Sequence, residues 1–595
     1  MKRRLLALLL AIIIFVPGCG VLQNETQETK PAGSNVIPSG TPGTPAHLDF
    51  EKDDDEMLDR TEYALPPGTP KFSVVCSGST ANADTDAVRC KDGVVTVTGQ
   101  ATYEFSGNLT GMVVVDAGKN DIVHLILNGV QIHSQTSAAI YVRKAARVIV
   151  TLAEGTENVL SNGGSFQSVD ESAIDGAVFS KKDLAFIGSG SLKINSPAGH
   201  GIVCKDNLLI DEGSYTITSA GHGLDANDSI RIGNAALTID AGKDGIHAEN
   251  ANDETLSFVY LSGGDVNVEA EGDGISAGAW LQIEGGSYQL LCGGGSENGT
   301  KANSGNYGDF MGGPGGPGGP GGRSSSDTQS DSTSMKGIKA GGSLLINGGA
   351  ITVDSADDAI HANGSVVVNG GTFTIKTGDD AVHADEVLTV TNCDMTVSES
   401  YEGLEAQKIY VTGGDLHLVT TDDGINAAGG NDDSGSGGRD QMFGPGGHGG
   451  KSDGVVEISG GSLYLNASGD GIDANGTLSI TGGYTQVCGP TRGDTAVLDY
   501  DVSGTITGGT FIGTGSVMMA QTLTSASGQG VVSAYSQSGF AAGTQLALTD
   551  ANGKQILSYT PELSFQLIIL STPDMVSGAT YVLSAGQVTA TVTAQ

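Results

Sequence analysis

The sequence predicts an all-β protein, a parallel β-helix with about 22 residues in each turn. One phrase occurs ten times; it reads Ala-Asp-Asp-Ala-Ile-His-Ala-Asn at 356–363 and Gly-Asp-Asp-Ala-Val-His-Ala-Asp at 378–385. Most copies are 22 residues apart, which indicates a solenoid whose repeat is one turn. The branched apolar residue of each copy is the reference position: Ile202, Leu224, Ile246, Ile275, Ile338, Ile360, Val382, Leu404, Ile425 and Ile472.

Each repeat also contains three short β-forming runs. Residues 343–365 show Leu-Leu-Ile, then Ala-Ile-Thr-Val, then Ile-His-Ala, separated by a Gly-Gly and an Asp-Asp corner. Alternating apolar residues in three runs predict three faces around one core. Glycine suits corner positions that require a positive φ.

Composition supports this fold and narrows the choice of partners. Glycine accounts for 93 of 595 residues and charged residues for 16%, which is typical of tightly turning β structure and not of a helical bundle. The formal net charge of −39 argues against nucleic acid or an anionic membrane surface as a direct partner. So many carboxylates favour the recruitment of cations.

The N-terminus has the pattern of a bacterial lipoprotein signal. A basic start is followed by the apolar run 5–16 and by Val-Pro-Gly-Cys, so residues 1–19 are predicted to be a signal peptide with Cys19 as the lipidated residue. The alternative is an ordinary signal peptide with an incidental cysteine. The apolar run is too short for a convincing transmembrane helix. We therefore expect an exported protein held at the cell membrane or cell surface by its lipid alone.

Domain boundaries follow from shifts in composition. Residues 20–70 are rich in Pro, Gly, Thr and acidic residues and are predicted to be a disordered tether. The β-helix with its N-terminal cap is predicted at 71–529. Two Gly-rich segments, 293–334 and 428–453, are predicted to be loop insertions between turns. Irregular β runs at 530–595 predict a small C-terminal β cap.

Cysteine usage leaves one question open. Export permits disulfides, and Cys76 and Cys90 are the only close pair, so the sequence allows either a bridge or two thiols there. The cysteines on separate turns are expected to be buried packing residues: Cys204, Cys292, Cys393 and Cys488.

Carboxylates recur two or three residues before the reference position, with one more just after it. The predicted metal ligands are Asp244, Asp273, Asp357, Asp358, Asp379, Asp380, Glu402, Asp422, Asp423, Asp470 and Asp473. Turns of a β-helix lie about 4.8 Å apart, so stacked carboxylates repel by roughly 3.5 kcal/mol per adjacent pair at an effective dielectric constant of about 20. Ca²⁺ takes about 6–8 oxygen ligands and could be shared between turns, so it is the predicted cofactor.

Other interpretations of this pattern remain open. Aspartate also suits corners because its side chain accepts hydrogen bonds from backbone amides. Lys336 interrupts the acidic column and could act as a built-in counter-charge. Zinc would need converging His or Cys ligands; His361 and His383 should stack on successive turns, but no third soft ligand is evident nearby.

An enzymatic function has weaker support in the sequence. Gly-His-Gly at 199–201 and 221–223 is found in β-helical pectin hydrolases, but here both copies fit the repeat as degenerate members. A Ca²⁺-dependent lyase needs a base beside its metal, and only Lys336 and Lys339 are candidates. Neither lysine is marked by anything beyond its position.

The chain resembles a family of bacterial lipoproteins that contain a carbohydrate-binding domain. The resemblance rests on Val-His-Leu-Ile-Leu-Asn-Gly-Val at 123–130, on 146–158, on the Asp-Gly/Ala-Ile-x-Ala repeats and on Ser-Thr-Pro-Asp at 571–574, and it covers about 85–590. It implies a right-handed parallel β-helix similar to pectate lyases. It also implies Ca²⁺ at the acidic columns and binding of cellulose or acidic plant-type polysaccharides without established catalysis.

The sequence therefore predicts a calcium-dependent polysaccharide-binding protein at the cell surface. The predicted ligand-binding residues are Tyr401, His361, His383 and Glu405. Tyr410 and Trp280 are further aromatic candidates, because sugar rings stack on aromatic side chains. The alternatives are a pectate-type lyase and a purely structural adhesion rod.

Overall fold

The structure, a computed structural model, describes residues 13–14, 48, 50–167, 169–253, 255–301, 334–427, 454–490 and 495–595. Its described elements are almost all strands, and parallel pairs between successive turns join most of them. The predicted fold class, an all-β parallel β-helix, is confirmed. The parts of the predicted insertions at 302–333 and 428–453, and Cys19, lie outside the described residues.

The predicted reference positions are aligned from turn to turn. Ile338 pairs with Ile360, and Ile360 pairs with Val382, in register. Ile275 pairs with Ile338 in the same way, although the predicted insertion at 293–334 separates them. All four side chains have 0% exposure. The hydrophobic register is therefore the same before and after the insertion.

Three parallel sheets form the sides of the solenoid. Sheet 1 contains Val94–Val97, Met112–Asp116, Ile140–Lys144, Gly176–Ser180, His200–Cys204, Leu224–Ala226, Ile246–Ala248, Ile275–Ala277, Ile338–Ala340, Ile360–Ala362, Ile425–Ala427, Ile472–Ala474 and Leu498–Tyr500. Sheet 2 contains Arg147–Leu152, Asp183–Ile187, Asn207–Ile210, Ser229–Ile232, Phe258–Leu261, Leu281–Ile283, Leu344–Ile346, Val366–Val368, Gly454–Ile458, Gly476–Ile480, Ser503–Ile506 and Thr524–Ser525. Sheet 3 contains Glu157–Asn162, Ser191–Ser196, Ser214–Ser219, Ala236–Ala241, Asp265–Ala270, Ser287–Cys292, Ala350–Ser355, Thr372–Thr377, Asp394–Glu399, Asp415–Thr420, Ser462–Ala467, Tyr484–Cys488 and Thr510–Gly515.

Some long strands bend through a corner and serve two sheets. Val382–Val390 and Leu404–Val411 run from sheet 1 into sheet 2, whereas Ile122–Ser134 runs from sheet 2 into sheet 3. At the other corners, glycines at positive φ end the Gly-Gly pairs, for example Gly349 at 106° and Gly371 at 108°. This is the role that the repeated Gly-Gly predicts.

Antiparallel strands close both ends of the solenoid. At the start, Lys71–Gly78 pairs with Thr80–Ala83, and Val88–Lys91 pairs with Val94–Val97. The strand Lys71–Gly78 also runs parallel to Thr102–Thr110 of the first turns. Because these hairpins occupy the exposed edge, further strands cannot add there freely.

At the other end, Phe565–Val576 pairs antiparallel with Thr510–Gly515, the last strand of sheet 3, and with Gln529–Phe540. The described pair Ile13–Ile14 joins this edge at Ser536 and Tyr535. A separate antiparallel sheet contains Leu546–Asp550, Gln555–Tyr559, Thr580–Ala585 and Val588–Thr593. Together these strands cover the end of the core.

The segment 50–65, here called the strap, lies across the outer face of sheet 2. It contains an α-helical turn, Asp54–Met57, and a 3₁₀ turn, Arg60–Tyr63. Met57, Leu58 and Tyr63 are buried against outward-facing side chains of sheet 2, among them Leu209 and Tyr260. This docking supplies the buried apolar surface that an ordered segment needs.

Polar contacts fix the strap as well. Arg60 donates two hydrogen bonds to Asp211, at 2.7 and 2.8 Å, and the backbone of Lys52 exchanges two with the Gln282 side chain. The prediction of a disordered tether is therefore wrong for residues 50–65. The composition of this segment is that of a tether, and the partners of its few apolar residues lie far away in the sequence, for example Leu209 and Tyr260.

The six cysteines in the described ranges are all thiols. Cys76 and Cys90 are unbridged, and Cys204, Cys292, Cys393 and Cys488 are buried, as the sequence predicts. A short 3₁₀ turn at Ser296–Asn298 is the remaining described helix. Within the described residues, no helix is long and apolar enough to span a bilayer.

Candidate functional site

Polar side chains two positions before the reference residue form a ladder along sheet 1. In this ladder the side chain of one turn accepts a hydrogen bond from the backbone N–H of the equivalent residue in the next turn. Asp244 accepts from Asp273 at 2.8 Å, Asp273 accepts from Lys336 at 2.8 Å, and Asp358 accepts from Asp380 at 3.1 Å. Leaving such a buried N–H unpaired would cost about 1–3 kcal/mol. These positions therefore require a side chain that accepts a hydrogen bond, whether or not an ion binds.

His200 and His222 accept the same kind of hydrogen bond from the backbone of the next turn. The Nδ1 atom of His200 accepts from the backbone of His222 at 2.9 Å, and Nδ1 of His222 accepts from Asp244 at 3.2 Å. Only an unprotonated nitrogen can accept, so Nδ1 of His200 carries no proton in this contact. Burial lowers the pKa of His200 to about 4, which keeps it neutral at pH 7. The two Gly-His-Gly segments are thus members of the repeat, as the sequence indicates.

Lys336 occupies a ladder position, but its side chain cannot accept a hydrogen bond. The N–H of Asp358 is satisfied instead by the Asp357 carboxylate of its own turn, at 2.9 Å. The Lys336 ammonium then lies 2.8 Å from Asp357 and 2.7 Å from Asp358, with the lysine only 4% exposed. Burial alone would raise the pKa of Asp358, but Lys336 and His361 hold it well below its usual range. The predicted counter-charge role of Lys336 therefore matches its geometry.

A second lysine neutralises the next turn. The Lys301 ammonium lies 2.8 Å from Asp379, and it also lies 5.4 Å from the centre of the Tyr401 ring. Burial, together with Asp380 and Asp358, still raises the pKa of Asp379 to about 10. Asp380 is completely buried with a pKa raised to about 6, first by burial and then by Glu405. Among the described residues, its Oδ2 atom has no hydrogen-bond donor.

His361 and His383 stack at 4.8 Å, as expected for successive turns. The Nδ1 atom of His383 lies 2.7 Å from Glu405 and 3.4 Å from Asp380, while its Nε2 lies 3.1 Å from Asp385. These carboxylates raise the pKa of His383 well above its ordinary value, although burial opposes them. His383 is therefore a buried cation that offsets part of the acidic column.

This burial corrects the predicted ligand-binding set. His383 is 0% exposed and His361 6%, so a polysaccharide cannot reach either ring. Glu405 is engaged by His383, and Tyr401 by Lys301. Exposure at the positions immediately after the reference residue therefore differs from turn to turn: His361 and His383 are buried, whereas Glu405 is half-buried.

The additional aromatic candidates are also occupied. Tyr410 is only 7% exposed. Trp280 lies between Phe258, at 4.3 Å, and Phe50 of the strap, at 5.0 Å. Neither side chain offers an open ring face for a sugar.

Toward the C-terminal turns, the acidic column has a different environment. Carboxylate oxygens of Asp423, Asp470 and Asp473 lie within 4.8 Å of one another. Burial and then its acidic neighbours raise the pKa of Asp423 well above its ordinary value, and that of Asp473 to about 7. Such shifts mark a place where negative charge is destabilised and a cation would be favoured. Asp422 is adjacent in sequence and raises the pKa of Asp423 further.

Glu402 connects the two halves of the column. Both of its oxygens accept from the Asn426 side-chain amide, at 3.0 Å each, and burial raises its pKa well above its ordinary value. The Oδ1 atom of Asn426 is buried and has no donor among the described residues. An amide oxygen of this kind is a suitable ligand for a hard cation.

Asp244 and Asp273, both predicted metal ligands, are joined by a hydrogen bond from the backbone of Asp273 to the Asp244 carboxylate. Their carboxylates do not converge on one point. Asp244 lies 2.8 Å from His247 and 3.3 Å from His222, which lower its pKa against the effect of burial. Asp273 instead faces Lys339 at 3.4 Å. The sequence did not single out His222, His247, Lys301 or Asn426 as partners. Fixed offsets from the reference position could have revealed three of them, since His222 lies two positions before Leu224 and His247 and Asn426 each lie one position after their reference residue. Lys301 lies outside the repeat.

Comparison with protein families matches residues 91–381 and 380–553 to the carbohydrate-binding domain-containing proteins. The chain belongs to this family. A carbohydrate-binding domain-containing protein of Acetivibrio thermocellus is 37% identical over 231 residues, which span 38% of this chain and 81% of that protein. A solved structure of a polysaccharide lyase-like protein from C. thermocellum, a gadolinium derivative, is 23% identical with a TM-score of 0.35, covering 54% of this chain and 97% of that one.

In this member of the carbohydrate-binding-domain family, we expect Lys336→Met to reduce the free energy of unfolding by about 3–5 kcal/mol, because it leaves two buried carboxylates without their cation. Chemical denaturation measures the loss. Lys376→Met is the matched control; its side chain is 36% exposed and that of its partner Glu399 is 51% exposed, so its loss should be about 0–1 kcal/mol. Equal, small losses in both variants would show that Asp357 and Asp358 do not depend on Lys336.

A pH dependence follows from the lowered pKa of His200. The unfolded chain takes up this proton near pH 6.5, but the folded chain only near pH 4. The stability contributed by neutral His200 is therefore complete above about pH 6.5 and is lost as the pH falls toward 4. His200→Asn keeps an acceptor without a titrating group, so its denaturation midpoint should fall less between pH 7 and pH 4.

Exposed His417 provides the control for that comparison. His417→Asn should follow the parent curve over the same pH range. Parallel curves for the parent and His200→Asn would contradict the assignment of a buried, neutral acceptor.

Proposed function

We propose that this protein binds polysaccharide at the cell surface and that Ca²⁺ stabilises its binding-competent form. The observation that carries the proposal is the family match, which extends across residues 91–553 and thus across most of the solenoid. Polysaccharide is the class of partner that the family description supports. The kind of glycan, the Ca²⁺ ion and the cell-surface location go beyond the family description and are part of the proposal.

The ion is best placed at the C-terminal half of the acidic column. In the half around Asp358 and Asp380, cationic side chains already lie against the carboxylates: Lys336, Lys301 and His383. The Asp423, Asp470 and Asp473 group is carboxylate-rich, and burial together with the neighbouring carboxyl groups raises the pKa values of Asp423 and Asp473. Oxygen donors without imidazole or thiolate suit Ca²⁺ rather than zinc.

Binding is better supported than cleavage. A lyase of the Ca²⁺-dependent type needs a base that is deprotonated when it reaches the substrate. Lys336 is buried between two carboxylates, which raise the pKa of its ammonium above the ordinary value. It is therefore charged and enclosed, which is the opposite of what such a base requires.

The location rests on the lipoprotein-type signal. Lipidation at Cys19 would anchor the chain, and residues between Cys19 and the strap would form the tether. We expect the protein from a bacterial host to partition into the detergent phase of Triton X-114 and Cys19→Ser to move to the aqueous phase. Equal partitioning of both proteins would contradict the lipid anchor.

Calcium should raise the thermal unfolding midpoint in a saturable manner, because an ion that binds only the folded state stabilises it by about 2.7 kcal/mol at 100 times its dissociation constant. Asp423→Asn combined with Asp473→Asn should abolish most of this shift. Asparagine at 423 retains the oxygen that accepts the N–H of Asp470, so the ladder is preserved. Exposed Asp265→Asn is the control and should respond like the parent.

Affinity electrophoresis in gels that contain cellulose derivatives or polygalacturonate tests the polysaccharide itself. Retardation that weakens when a chelator is added supports the full proposal, and retardation that the chelator leaves unchanged removes the calcium step. Ultraviolet absorbance of unsaturated products in the same incubations would instead favour the lyase. Absence of retardation with every glycan would favour a structural rod.

A further inference from the structure

The outer faces of the three sheets differ in how far their side chains are exposed to solvent. On sheet 1 the acidic column and its histidines are largely buried. On sheet 2 the strap covers several turns. On sheet 3 exposed and buried residues alternate regularly in strand after strand, as in Ser214–Ser219 and Ala236–Ala241. Sheet 3 is thus the accessible, regular face of the solenoid.

A single column of uncharged hydrogen-bonding side chains runs along the middle of this face. Its members are exposed and each pairs in register with the next: Thr216, Thr238, Asn267, Gln289, Thr352, Thr374 and Thr396. Packing inside the protein does not use these side chains, since none has a side-chain hydrogen bond to another described residue. The column spans seven successive turns at a spacing of about 4.8 Å.

Aromatic residues follow at the C-terminal end of the column. Thr396 pairs with His417, and His417 pairs with Tyr464. Their rings stack at 4.4 Å, and the Tyr464 hydroxyl donates to Glu562 of the C-terminal region at 2.8 Å. One turn further, Tyr484 is 40% exposed. The C-terminal cap therefore fixes an aromatic end to an otherwise polar, flat face.

We propose that the outer face of sheet 3 is the docking surface for an extended, uncharged polysaccharide. The inference rests on the proposed polysaccharide binding and names its surface and its class of glycan. Hydroxyl and amide side chains can both donate to and accept from sugar hydroxyls. The spacing between turns is comparable to the length of one pyranose ring, so an elongated chain would meet equivalent groups at each turn.

The negative charge of the protein favours a neutral glycan over an acidic one. The protein carries a net charge of −39, and acidic residues flank the column, for example Asp240, Glu269 and Asp394. A uronate chain on this face would meet like charges, whereas a neutral glucan would not. Acidic glycans would need bridging cations, and the candidate cation ligands lie on sheet 1.

The test measures adsorption of the full chain to insoluble cellulose by depletion from solution. Thr352→Glu and Thr374→Glu, singly and together, place an unpaired charge in the proposed interface. We expect at least about tenfold weaker adsorption, since a charge that must be desolvated without a partner is costly. His417→Ala should also weaken adsorption. The control is Thr591→Glu, an exposed strand threonine of the C-terminal sheet, which should adsorb like the parent.

Each outcome has a distinct meaning. Loss in the sheet 3 variants with retention in Thr591→Glu, at unchanged thermal midpoints, supports the docking face. Equal adsorption by all variants overturns it but leaves polysaccharide binding intact. Binding of the parent to polygalacturonate and not to cellulose overturns the neutral-glycan inference alone. If the parent binds no glycan, both the inference and the proposed function fail.

Discussion

The structure depends on keeping identical backbone groups in register from turn to turn. At the corner before sheet 1, most turns present an N–H that the parallel ladder alone does not satisfy, and a side chain from the preceding turn accepts its hydrogen bond. At Asp358, which follows Lys336 in the column, Asp357 of the same turn accepts instead. Aspartate does this at most of these positions, and histidine does it at 200 and 222. The requirement is for an acceptor, and its repeated fulfilment by aspartate builds a column of negative charge as a by-product.

The negative charge of that column has to be compensated, and the groups that lie near it differ from one region of the solenoid to another. Around Asp358 and Asp380 the counter-charges are internal: Lys336, Lys301 and protonated His383. Around Asp423 and Asp473 the neighbouring groups that raise the pKa values are carboxyl groups. One repeat can therefore serve as a structural ion-pair network in one region and as a candidate cation site in another.

Much of the fold and part of the site could be predicted because their determinants are local and periodic. The reference positions predicted from Ile338 and Ile360 are true partners, and the lysine at 336 is the counter-charge that its place in the acidic column suggests. Burial of His383 depends on packing between turns, which a single repeat does not reveal. The Lys301 contact with Asp379 could not be predicted, because Lys301 lies outside the period. The strap was missed for the same reason, since Lys52 meets Gln282 across 230 positions.

The sequence alone determined the solenoid, its 22-residue step and the columns of like residues, because in a parallel β-helix a constant offset in sequence becomes a constant position in space. Only the tertiary structure decided which face of each column is accessible. The histidines expected at a glycan site are enclosed, whereas the unremarkable threonines of sheet 3 are exposed and aligned. Exposure depends on what packs over a surface, and on sheet 2 that covering segment, the strap, comes from outside the repeat.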